Sequence, residues 1–380
     1  SCRDRSSGSE GLPRANHLED RASHPGESQK RMAPHHTEKR RISLQIHNDR
    51  DKQRNPGCKN LQSGYFYEER RYFLFGTIFV PLQTRIIKGK KRMEIIKDKC
   101  FGGERPLFGI QDTRLERITI TDGESGIKCC QNLEADHCKF YGKYPWWHVD
   151  GSVITNCYFA PESRSAIWYS NHMKMKDSVI DGPKFFREMK DLYLENVKIT
   201  DADETFWRVD GLTLKNVELH QGTYPFMFSK NIYVDGLTSD AKYVFQYCQN
   251  VEVHHAKITT KDSFWECDHV TIYDSELDGE YLAWHSHDVR LVNCHISGEQ
   301  PLCYSTDLVL ENCTFDKECD RAFEDSTVKA DIKGSITNIK NPISGHIIAD
   351  QIGSITINEY VKQPNNCVIE ERRHTSKGIA

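Results

Sequence analysis

Glu266 and His285 stand nineteen residues apart, and each directly follows a tryptophan, in "FWE" and "AWH". If the chain repeats its conformation at that interval, the two side chains become neighbours, and a carboxylate beside an imidazole is a general acid–base pair. Arg187 and Arg208 follow Phe186 and Trp207 in the same way. Stacked about 5 Å apart, two guanidinium groups repel each other unless an anion bridges them, and their planar forks suit carboxylates. The whole position runs His148, Tyr169, Arg187, Arg208, Met227, Gln246, Glu266, His285, Tyr304 and Glu324. Its arginine pair and its acid–base pair would lie three steps, roughly 14 Å, apart. An acidic oligosaccharide lying along the column would reach both, with Tyr169 as a further contact.

A second charged position precedes each aromatic: Lys143, Arg164, Lys184, Glu204, Asp262 and Glu280. On neighbouring turns Asp262 and Glu280 would have the separation of about 5 Å that a retaining glycosidase uses. Lys184 and Glu204 either touch substrate or pair with each other to fix the turn. The competing structural account treats all of these as solvated surface residues, whose ion pairs contribute little.

These neighbours exist only if a repeat supplies them. Apolar-x-apolar starts recur at Thr113, Leu133, Ser152, Met173, Leu192, Leu212, Ile232, Val251, Val270, Val289, Leu308, Val328 and Ile347, about every 20 residues. That period belongs to solenoids; the leucine-rich consensus is absent, and a propeller blade needs about twice the length. Alternation at Leu192 and Leu194, a bend at Asn196 and alternation at Val197 and Ile199 give short strands joined by corners. The expected fold is all-β: a single-stranded right-handed parallel β-helix of about 12 rungs.

Columns then explain the composition of each rung. Corners at His137, Asn156, Asp177, Asn196, Asn216, Gly236, His255, Asp274, Asn293 and Asn312 suit sharp bends and amide ladders, a structural role. An aromatic column of Trp147, Trp168, Phe186, Trp207, Phe226, Phe245, Trp265, Trp284, Cys303 and Phe323 reads as a stacked core ladder. Strand alternation then turns the following residue, the chemical column above, to solvent.

The phrases "FGGERPLFG", "KYPWW", "RSAIWYSN", "PKFFRE", "DETFW", "KDSFW", "DGEYLAWHS", "QPLCY" and "AFEDS" follow one another in this sequence. Together they resemble a bacterial family of right-handed parallel β-helix proteins of unknown function, within the pectin-lyase-like superfamily. The resemblance covers residues 98 to 358 and implies the fold; it carries no reaction with it.

Charge divides the chain. Residues 1–92 carry 20 Lys/Arg against 10 Asp/Glu, and the remainder 31 against 45. The first segment lacks apolar periodicity and is expected to be disordered, or to be translated upstream sequence ahead of a start at Met93. Residues 93–360 form the β-helix and 361–380 a flexible tail. The apolar run at 72–82 is too short to span a bilayer, and no export signal follows Met93, which gives a cytoplasmic expectation.

Twelve of the 14 cysteines follow Met93. Cys138, Cys157, Cys294 and Cys313 share one repeated position, as small buried residues do. Neither His285 with His287 nor His254 with His255 has the further ligands a metal needs. Phosphate and dinucleotide fingerprints are missing, so no cofactor, nucleic acid or membrane partner is expected. The sequence leaves the oligomeric state open. It points to a protein that binds or processes an oligosaccharide along an outer groove, by lyase or hydrolase chemistry if it is an enzyme; the alternative is a non-catalytic scaffold that binds a partner protein.

Overall fold

The structure is a computed structural model that describes residues 92–358 and 366–373. The expectations for residues 1–91 and for most of 361–380 lie outside the described residues. Fifteen parallel strands, from Glu94–Lys97 to Asn366–Glu371, stack on one face and make fourteen turns of a β-solenoid. The two turns beyond the expected twelve are terminal: Glu94 pairs with Thr113, and Gly345 with Cys367. Among the described residues the sole helical element is the 3-10 turn Pro161–Ser163, and no helix is long and apolar enough to cross a membrane.

The strand register follows the sequence repeat. Met173 pairs with Leu192, Leu192 with Leu212, Leu212 with Ile232 and Ile232 with Val251. The last start is displaced: Val328 pairs with Gly345, and Ile347 with Ala330. On each strand the alternate residues, such as Leu192, Leu194, Val197 and Ile199, are buried in a continuous core. A parallel sheet whose inner face is so covered needs its hydrogen bonds to run from turn to turn, and they do.

Five residues per turn bend the chain. In the turn from Met189 to Arg208, Asp191, Asn196, Glu204, Phe206 and Arg208 all have φ between 48° and 60°. The left-handed region costs ordinary residues about 1–2 kcal/mol each, so each corner needs compensation. At the second corner it comes from amide ladders: Asn196 donates to Asp177 at 2.9 Å, Asn216 to Asn196 at 2.8 Å and Asn312 to Asn293 at 2.8 Å.

Behind the corners small inward groups complete the backbone ladder. The Val209 amide donates to Ser229 Oγ at 2.8 Å, and the Cys267 amide to Ser286 Oγ at 2.9 Å. Cys267 Sγ in turn donates to the Phe245 carbonyl at 2.7 Å, and Cys138 Sγ to the Leu115 carbonyl at 3.5 Å. Nine of the twelve cysteines described are buried. The repeated cysteine position is therefore buried as expected, and it also supplies hydrogen bonds that a plain apolar residue lacks.

The aromatic ladder is displaced by one residue from strict alternation. The buried stack is Phe186, Phe206, Phe226, Phe245 and Phe264, with ring centroids 5.2, 4.9, 4.1 and 4.7 Å apart. Trp147, Trp168, Trp207, Trp265 and Trp284 stand one place later and are half-buried on the flank. The expected column thus mixes two real ones, because left-handed residues at Glu204, Phe206 and Arg208 break the in–out alternation of a strand. Truncation of a fully buried phenylalanine costs about 3–5 kcal/mol. Phe226→Ala is expected to lower the urea midpoint far more than Phe228→Ala, whose ring is 43% exposed.

Candidate functional site

The flank of half-buried tryptophans accounts for Arg187. Its guanidinium lies between the Trp168 and Trp207 rings, 4.8 and 4.4 Å from their centroids. Its Nε donates to the Glu204 carbonyl at 3.1 Å, and its Nη2 donates to the Glu204 carboxylate. Lys184 Nζ reaches the same carboxylate at 2.9 Å. Burial alone would raise the pKa of Glu204, but these two cations outweigh it and hold the carboxyl below its ordinary value. Lys184 and Glu204 therefore form the turn-fixing pair.

One rule governs this flank. The side-chain N–H of one turn donates to a backbone carbonyl of the next: Trp147 to Ser165 at 2.8 Å, Trp168 to Lys184 at 2.7 Å, Trp207 to Tyr224 at 2.7 Å. Arg187 and Gln246 fill the same role, the latter to Asp262 at 3.4 Å. Trp265 Nε1 does not follow this rule and is buried without a partner.

Arg208 is not stacked on Arg187. The register pairs Met189 with Val209, which sets Arg208 beside Glu188, 3.0 Å away, with Phe228 on its other side. The expected arginine pair is therefore corrected: the two guanidinium groups belong to different columns, and Arg187, whose side chain is 12% exposed, is already paired. Asp262 and Glu280 are also offset. The Asp262 amide donates to the Glu280 carbonyl, Glu280 pairs with Lys261 at 3.0 Å, and Asp262 is buried. Burial, with Glu280 adding to it, raises the Asp262 pKa. The two are therefore not equivalent positions on neighbouring turns.

Glu266, His285 and Tyr169 do share the exposed column. The Glu266 amide bonds to the Trp284 carbonyl on the next turn, His285 stacks on Tyr304 at 5.2 Å and Tyr169 on His148 at 5.0 Å.

A groove of about 690 Å³ lies on a different face. It spans six turns, and two columns line it. The first is the left-handed position His172, Asp191, Gly211, Asn231, Asn250 and His269. The second is the outward position on the strands, Lys174, Tyr193, Thr213, Tyr233, Glu252 and Thr271. Asn231 donates to Asp210 at 2.6 Å and Asn250 to Asn231 at 3.0 Å, so the floor is a hydrogen-bonded ladder. Gly211 carries no side chain, and a Cβ there would sit 3.0 Å from Asp191 Oδ1.

Charges collect towards the ends of this groove. His172 bridges Asp150 at 2.7 Å and Asp191 at 3.3 Å, while His269 contacts Asp268 at 2.9 Å. Glu252 is held by His254 at 2.8 Å. The Tyr193 hydroxyl donates to Glu195 at 2.7 Å, which raises the phenol's pKa, whereas Tyr233 is 37% exposed. Among the described residues no group of three or more His, Cys, Asp or Glu is placed to hold a metal ion.

Residues 94–370 match the family model described as Protein of unknown function (DUF3737). The chain belongs to this family. A search of curated proteins finds no match. Among solved structures, the A-module of the Azotobacter vinelandii mannuronan C-5 epimerase AlgE4 is similar at 10% identity and a TM-score of 0.29, over 73% of this chain and 91% of that one. The catalytic domain of a GH87 α-1,3-glucanase is similar at 10% identity and 0.27, over 74% and 64%. The plasmid-mediated fluoroquinolone resistance protein QnrB1 is similar at 12% and 0.21, over 57% and 91%. Similarity at this level assigns neither a substrate nor a site to the DUF3737 chain.

None of the nine residues singled out from the sequence lines the groove. Its floor was readable all the same: the left-handed position is the residue just before each apolar start, and it runs Asn132, Gly151, His172, Asp191, Gly211, Asn231, Asn250. Because the folded pKa of Glu204 is depressed, its contribution is fully present above the ordinary carboxyl value and is lost as pH falls through the folded one. Arg187→Leu is expected to cost about 3 kcal/mol at neutral pH. In pH-resolved denaturation the variant should lose less stability on acidification than the parent, and parallel curves would contradict the pairing.

Proposed function

We propose that this DUF3737 protein binds an oligosaccharide in the groove of the strand face. The observation that carries the reading is the lining itself: neutral hydrogen-bonding side chains, Thr213, Asn231 and Asn250, beside the tyrosines Tyr193 and Tyr233, in an open channel six turns long. Sugars need hydroxyl partners and an apolar ring face together, and this combination supplies both. The groove carries Lys174 against Asp191 and Glu252, which favours a neutral glycan over the acidic one suggested by an arginine pair.

A glycan array followed by titration calorimetry tests the reading. Tyr233→Ala is expected to weaken binding by about 1 kcal/mol, roughly fivefold, and Arg208→Ala to leave it unchanged. The reverse pattern would move the ligand to the exposed column of the other face.

Acid–base chemistry at Glu266 and His285 is the second reading. It is favoured by their position on adjacent turns of one exposed column, with the buried, raised-pKa carboxyl of Asp262 on the same turn as Glu266. Under it, mass spectrometry would find a cleaved oligosaccharide whose formation stops in both Glu266→Gln and His285→Gln. Undiminished cleavage by either variant would remove the pair from the chemistry.

A further inference from the structure

We infer that the groove holds an extended, uncharged pyranose chain laid parallel to the solenoid axis, with one sugar unit on each turn. The inference rests on reading the groove as an oligosaccharide site and names the class of chain that fits it. Each turn contributes one residue from each lining column, and the turns repeat at about 4.8 Å. The groove therefore offers six near-equivalent positions over about 24 Å from the first turn to the last. A pyranose joined through equatorial bonds at opposite ends of its ring advances by about one ring length, close to one turn, and the chain stays straight. A chain with one axial and one equatorial bond on each ring, as in α-1,4-linked glucose, curls and leaves the register within a few units.

The side chains distinguish the middle of the groove from its ends. Thr213, Asn231 and Tyr233 occupy two successive central turns, those of Gly211 and Asn231, on which neither lining column carries a charge. Each asparagine spends one N–H on the ladder below it, at 2.6 Å for Asn231 and 3.0 Å for Asn250. An amide has a second N–H, which is left for a hydroxyl of the ligand. Asp191 lies on the turn before this stretch and Glu252, beside Asn250, on the turn after it, so a chain with a carboxylate on every unit would set like charges side by side at both. Gly211, on the third turn, is the one place along the floor without a side chain, and Asp191 Oδ1 lies 3.0 Å from where its Cβ would stand.

The test uses the 380-residue protein and defined oligomers of two to eight units in titration calorimetry. Equatorially 1,4-linked glucose, mannose, N-acetylglucosamine and xylose series are compared with an axially linked glucose series and with a uronate series. At least one neutral equatorial series is expected to gain affinity several-fold per added unit up to five or six units and then level off. Thr213→Trp, which fills the third turn, should reduce a six-unit chain to the affinity of a three-unit one while the thermal midpoint stays in place.

Affinity that stops rising at two units, an axial series that binds equally well, or a uronate series that binds best would overturn the inference and leave a sugar site in the groove. Binding untouched by both Thr213→Trp and Tyr233→Ala would remove the groove altogether. No binding by any series would overturn both the inference and the proposed function.

Discussion

Everything in the described solenoid depends on hydrogen bonds that run from each turn to the next, in a register interrupted between Leu310 and Cys313. Parallel pairing makes equivalent residues neighbours, so every position becomes a column, and a column tolerates a residue type only if it can stack on itself or on what its neighbours offer. Phenylalanine stacks on phenylalanine, asparagine donates to asparagine, and serine or cysteine fills the gap behind a corner. The arginine among the tryptophans obeys the same rule, since a guanidinium plane stacks between two indoles and can still donate to the next turn's carbonyl.

The register also decides which charges can act. Along the tryptophan flank Lys184 and Arg187 are both committed to Glu204. The strand face is different: its corner column spends only part of its hydrogen-bonding capacity on the ladder, and its outward column mixes tyrosine, threonine and charge. A surface of this kind offers repeated partners to a repeated ligand. The flank is built to hold the protein together, and the groove has bonding capacity to spare.

The strand register, the amide corners and the buried thiols were legible in the sequence because they depend on period and residue type alone. Leu192, Leu212, Ile232 and Val251 align in the fold as they do in the text. The aromatic columns were not, since a bulky residue with φ near 60°, as at Phe206, has no composition signal that distinguishes it from the extended tryptophan beside it. That single uncertainty of one residue moved Arg187 from a ligand contact to a packed strut and separated it from Arg208. Arg208, Glu266, His285 and Tyr169 kept the exposed column expected of them. The groove was missed for another reason: its residues are ordinary one by one, and the concavity that makes them a site belongs to the stacked surface.

The uniform columns of the groove make its length a countable property. A turn is about nineteen or twenty residues of chain, and contacts in such an array are made chiefly between adjacent turns. Loss or duplication of one whole turn would therefore leave every column continuous and change only how many positions the channel contains. Members of such a family can diverge in reach by whole steps, like combs cut to different numbers of teeth, without altering what any single tooth grips.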